Sequence, residues 1–164
     1  MRKTVALSVM STMLLLAGRQ VSAHCQIPCG IYGDALRVQM LEEHVTTIEK
    51  SIKSISELAG KSAPADVNQL VRWIANKDTH ADYIAEIVTE YFLRQRIKAP
   101  QGDDAAAQKR YGDQLVALHG LLTVSMKAKQ TVDPAIPGQL RDLIERLKVL
   151  YFSAEDLKHL AEHR

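Results

Sequence analysis

The stretch Leu140–Ala161, LRDLIERLKVLYFSAEDLKHLA, decides the fold class. Leu140, Leu143, Leu147, Leu150, Ala154, Leu157 and Ala161 recur at spacings of three and four. That repeat is one face of an α-helix. A single amphipathic helix is therefore predicted over these residues.

Working outward, the same pattern returns three times. Asp133-Pro134-Ala135-Ile136-Pro137-Gly138 interrupts the chain just upstream. Before it, Tyr111, Leu115, Leu118, Leu122 and Met126 predict a third helix. Ala99 to Asp104, with Pro100 and Gly102, is the next break. A second helix runs to about Arg96 on Val67, Leu70, Ile74, Ala81, Ile84, Val88 and Tyr91, with Asp66 as its expected cap. Lys77 occupies a seam position in that run. Lys61 to Ala65, containing Pro64, forms a loop after Gly60, a natural helix stop. The first helix follows Leu41, Val45, Ile48, Ile52, Ile55 and Ala59, with Asp34 as its expected N-cap. Strand-like alternation competes nowhere. Four apolar stripes that must cover one another predict an all-α fold, an antiparallel four-helix bundle over residues 34–164.

Composition narrows the function. The chain has 164 residues, 46% hydrophobic and 24% charged, enough for one domain with a real core. Its formal charge is +2, but Arg2, Lys3 and Arg19 all precede His24. Beyond them 18 basic residues face 19 acidic ones, a balance of −1. That leaves no basic field for nucleic acid and no cationic helix for a membrane surface. No P-loop, Gly-rich nucleotide motif or Ser-His-Asp arrangement is present. His44, His80, His119, His159 and His163 are scattered, and inward Glu-x-x-His pairs of a di-iron bundle are missing; only Asp156-x-x-His159 comes near.

Residues 1–23 read as a secretory signal or leader that is removed. Arg2 and Lys3 give a charged start, Val5 to Ala17 an apolar core, and Val21-Ser22-Ala23 a cleavage pattern. The apolar core is short for a transmembrane anchor. A lipoprotein signal, the other alternative, wants a small residue before its cysteine, where His24 stands. The expected location is periplasmic or extracellular, the alternative being a cytoplasmic protein with a cleaved pro-peptide.

Cleavage after Ala23 would leave His24-Cys25-Gln26-Ile27-Pro28-Cys29-Gly30 at the new N-terminus. The chain's only two cysteines would then be second and sixth. In an exported protein, two thiols at this spacing form a disulfide or bind a metal. A disulfide here would close a small loop and hold no tertiary elements together. As metal donors, His24 offers an α-amine and an imidazole, Cys25 a thiolate and a backbone amide, and Cys29 a second thiolate. Mixed nitrogen and sulfur ligation of this kind suits divalent nickel or copper. A tetrahedral zinc site would want four side chains, and this segment supplies three. Pro28 stiffens the turn and Gly30 lets the chain reverse.

The pattern His-Cys-x-x-Pro-Cys-Gly-x-Tyr, matched at His24, Cys25, Pro28, Cys29, Gly30 and Tyr32, resembles the nickel superoxide dismutase family. The resemblance implies a hook, residues 24–33, on a right-handed four-helix bundle that assembles as a homohexamer. It implies one nickel ion per subunit, bound by His24, Cys25 and Cys29. It implies conversion of superoxide to dioxygen and hydrogen peroxide as nickel alternates between Ni(II) and Ni(III). A leader-processing protease is implied as well, since the α-amine of His24 exists only after cleavage. Tyr32 corresponds to a tyrosine over the vacant face of the metal, and Tyr91, paired with Phe92, to an outer aromatic. Without turnover, the same hook would be a nickel- or copper-binding module.

This sequence departs from the family at several points. Gln26 stands where well-known members are acidic. Gln39 falls where some members place a glutamate that holds the axial histidine, with Glu42 or Glu43 as nearby substitutes. Asn76 replaces an arginine, leaving Lys77 as the expected source of positive field, or else as a solvated lysine.

Overall fold

A computed structural model describes residues 33–162, with side chains through residue 158. Every element among the described residues is helical. Helix α1 spans Asp34–Leu58 and α2 spans Pro64–Glu86. The latter runs on without a break into a wider π-helical segment, Ile87–Arg96. Three more follow: α3 (Ala105–Gln130), α4 (Ile136–Tyr151) and α5 (Ala154–Glu162).

The starts of the helices follow local chemistry, though not always the residues expected. Asp34 is the first residue of α1, not its cap; Gly33 occupies the cap position. The Asp34 carboxylate is drawn instead into tertiary bonds. Pro64, not Asp66, sets the start of α2, its missing N–H costing nothing in a first turn. Asp104 caps α3, accepting from the amides of Ala106 at 2.9 Å and Ala107 at 3.3 Å. The interruption before α4 is shorter than the sequence suggested: Ile136 and Pro137 are already helical and buried.

Interhelical pairs fix the directions. Between α1 and α2 with its π-helical continuation the partners are Asp34–Tyr91, His44–His80 and Ser51–Asn76, so one number climbs as the other falls. Between α1 and α4 they are Glu42–Lys148 and Glu49–Arg141. Between α3 and α4, Arg110 donates to the carbonyl of Leu150 at 2.7 Å, Arg146 approaches Asp113, and Gly120 lies against Leu143. Each of these pairs of helices is antiparallel. α2 packs on α1, α3 on α2, α4 on α3, and α4 returns to α1. The ring encloses one core, in which Leu41, Ile48, Ile84, Phe92, Leu118 and Leu140 are fully buried. Full burial of such side chains is worth about 1.5–3 kcal/mol each.

Several faces are displaced from their predicted positions. In α3 the core takes Ala117, Leu118, Leu121 and Val124, while Met126 is exposed. In α2 the predicted Val67 and Ile74 are exposed, and burial begins at Lys77. Lys77 is only 2% exposed, so it is no solvated lysine. Its ammonium donates to the carbonyl of Ala128 near the end of α3 and to Asp78 at 2.9 Å. A carbonyl in the last turn of a helix has no intrahelical partner, and the lysine supplies one.

The predicted single helix over Leu140–Ala161 is two. α4 stops at Tyr151, Phe152 is extended, and α5 starts at Ala154. Ser153 and Asp156 cause the break by forming a reciprocal cap. The Ser153 amide donates to Asp156 at 3.2 Å, and the Asp156 amide donates to Ser153 Oγ at 3.2 Å. Periodicity alone conceals this, because the apolar spacing persists across the break. No helix among the described residues is long and apolar enough to cross a membrane.

Candidate metal centre

His24, Cys25, Pro28, Cys29, Gly30 and Tyr32 lie outside the described residues. The described residues begin at Gly33, and Asp34, two residues past Tyr32 in the sequence, opens α1.

Three side chains hold the Asp34 carboxylate. Tyr91, from the π segment, donates its hydroxyl to Oδ1. Tyr151, the last residue of α4, donates to Oδ2 at 2.8 Å. Arg96 Nε lies 2.8 Å from Oδ1. Arg96 also donates to the Tyr91 oxygen at 2.9 Å. Its guanidinium carbon sits 5.0 Å from the Tyr91 ring centre, and that of Arg37 sits 5.3 Å away. Both distances suit a cation–π contact. Phe92 and Phe152 stack edge-on against this group, at 5.6 and 5.0 Å from the Tyr151 ring.

The π winding makes this arrangement possible. In an α-helix, residues five apart are turned about 140° from each other. The wider winding brings Tyr91 and Arg96 to one face, and its last bond runs from the Ile97 amide to the Phe92 carbonyl at 2.9 Å. Such segments concentrate at functional sites.

Burial, and then the hydrogen bond to Asp34, push the hydroxyls of Tyr91 and Tyr151 above the usual phenol range. Both therefore remain donors through neutral pH. Tyr91 is only 4% exposed, so its hydroxyl serves Asp34 and Arg96 rather than open solvent.

The remaining predicted residues take separate places. Gln39 is half-buried on α1. Glu42 pairs with Lys148 at 3.2 Å, and Lys148 also holds Glu145 at 2.8 Å, so Glu42 has a partner in α4. Glu43 is exposed. Asn76 donates to Ser51 at 3.1 Å. Lys77 is buried, with its ammonium on the Ala128 carbonyl and Asp78. Arg37 and Arg96 stand beside the Tyr91 ring, and sequence reasoning missed them. Arg96 lies five residues from Tyr91, a spacing that no α-helical pairing rule flags. Tyr151 is brought in from 117 residues away.

The donor set fits nickel. Two thiols, an imidazole and backbone nitrogens in one short segment match the mixed sulfur and nitrogen ligation that nickel accepts. Among the described residues, no group of three or more His, Cys, Asp or Glu gathers to hold a metal. A family model described as nickel-containing superoxide dismutase matches residues 19–155, a span that includes all three proposed donors. No curated protein and no solved structure matches the chain.

Proposed function

Since the chain belongs to the nickel-containing superoxide dismutases, we propose that His24, Cys25 and Cys29 hold its metal once the leader is removed. The protein is an oxidoreductase that disproportionates superoxide to dioxygen and hydrogen peroxide, and nickel is its cofactor. When bound, nickel would supply a one-electron couple, Ni(II)/Ni(III), through which one superoxide is oxidised to dioxygen and a second is reduced, with two protons, to hydrogen peroxide. The observation that carries the ligand assignment is the span of the family match, which contains His24-Cys25 and Cys29.

The residues of the chain do the rest. Cys25 and Cys29 supply thiolates, and the Cys25 amide and the His24 amine and imidazole supply nitrogen. These anionic and strongly donating groups make the oxidised metal accessible. Tyr32 would stand beside the metal and order water there. Pro28 and Gly30 set the turn of the hook. Gln39 is proposed to hold the His24 imbidazole ring by an amide hydrogen bond, without the charge that a carboxylate would add. Asp34 ties the base of the hook to Tyr91, Tyr151 and Arg96. Arg37 and Arg96 give superoxide, an anion, a favourable approach.

In this reading residues 1–23 are a leader, 24–33 the hook and 34–164 an antiparallel four-helix bundle. The antiparallel pairings of α1 with α2 and α4, and of α3 with α4, support the bundle. The leader supports export to the periplasm or beyond the cell, with a processing protease as partner and a homohexamer as the assembled form.

Protein beginning at His24 is expected to hold one nickel per chain, with sulfur in its X-ray absorption shell. Cys25→Ser and Cys29→Ser should each lose the metal. Full nickel retention in both variants, or a Cys25–Cys29 disulfide in the active protein, would overturn the assignment.

A further inference from the structure

Away from the hook, two imidazoles meet between α1 and α2. His44 Nδ1 and His80 Nδ1 share a hydrogen bond at 3.0 Å, one ring donating and the other accepting. Tyr83 closes one side, its ring centre 5.2 Å from His44 and 5.6 Å from His80. Tyr83 is 44% exposed, so the pair opens toward solvent. Neither histidine has a part in the reaction described above.

We propose that His44 and His80 form a second, exchangeable site for a divalent late transition metal. Two metal–nitrogen bonds of about 2.0–2.1 Å meeting near a right angle hold their nitrogens about 2.9 Å apart. The hydrogen bond already holds the two nitrogens 3.0 Å apart, so a metal that displaces its shared proton meets both at that spacing. Neutral imidazole suits nickel, copper and zinc, and both rings are suited to stay neutral. Burial, and then the neighbouring His80, lower His44 to about 4; burial also lowers His80. No third His, Cys, Asp or Glu joins them among the described residues. Water therefore completes the coordination, and the metal exchanges readily. Because the donors come from two helices, a bound ion clamps α1 to α2 and stabilises the native state by mass action.

The site stands independently of the hook, and the test removes the hook's donors. The background is an untagged full chain carrying His24→Ala, Cys25→Ser and Cys29→Ser. His159→Ala and His163→Ala are added to silence the two C-terminal imidazoles. Calorimetric titration with Ni(II) is expected to show one ion per chain at micromolar metal and a rise in melting temperature. His44→Asn or His80→Asn should weaken binding about 100-fold, since one donor alone loses the chelate advantage. His119→Ala, at an exposed imidazole, should change nothing. No nickel uptake, or equal uptake with and without His44 and His80, would overturn the site. If the asparagine variants do not fold, electron paramagnetic resonance of Cu(II) in the background chain decides. Coupling to two imidazole nitrogens is expected, and fewer than two overturns the proposal.

Discussion

Asp34 carries two tyrosine hydroxyls and an arginine on one carboxylate, at the first residue of α1. A hydrogen bond to a charged group is worth about 1.5–3 kcal/mol. Tyr151→Phe removes one such bond, and urea denaturation is expected to show a loss of about 1–2 kcal/mol. Asp34→Ala strands both hydroxyls and should cost more. If either variant matches the parent in stability, these bonds do not anchor the start of α1 as described. These contacts were not legible in the sequence. Asp34 reads locally as a helix cap, and nothing in a one-dimensional pattern shows that its carboxylate faces inward to Tyr91 and Tyr151. Lys77 is the converse case. Its seam position was legible in the spacing, but not that a carbonyl at the end of α3 and the Asp78 carboxylate give the ammonium partners inside the fold.

At the scale of the element, apolar periodicity located the long helices but not every boundary or face. It read α1 well, because Leu41, Val45, Ile48, Ile52 and Ile55 all reach the core. It failed between α4 and α5, where the apolar spacing continues across a break made by polar capping. Ser153→Ala removes that cap, at an expected cost of about 1 kcal/mol to α5. Hydrogen exchange should quicken over Ala154–Glu162 while the four long helices keep their protection; unchanged exchange in α5 would count against the cap. The π segment was equally hidden. Ile87–Arg96 has ordinary helical composition, and its wider turn is set by what it must bring together, Tyr91, Arg96 and Asp34. The family was legible in the pattern from His24 to Tyr32, since those residues are adjacent in sequence and need no tertiary contact to be recognised.

At the scale of the whole molecule, polar clamps across the ring of helices make stability depend on pH. Glu49 on α1 accepts from Arg141 on α4 at 2.5 Å, and that bond holds its carboxyl below the usual carboxylate range. A carboxylate whose folded pKa is depressed contributes stability above its unfolded pKa, and that contribution is lost as pH falls through the folded value. Glu49→Gln should therefore cost up to about 1 kcal/mol at pH 7, as for an exposed pair. The variant and parent should converge in acid, once the pH has fallen through the depressed folded value and the carboxyl is protonated in both states. A difference that persists in acid would assign the effect to packing instead.

The central claim is that a free His24 amine completes the nickel site. The most direct test is superoxide consumption by nickel-loaded protein beginning at His24, beside the same protein with one extra N-terminal alanine. The account predicts rapid turnover in the first and little in the second, and none in either without nickel. Equal activity with the alanine in place would contradict the amine as a ligand. Inactivity of the His24 form with nickel verified as bound would contradict the redox mechanism itself.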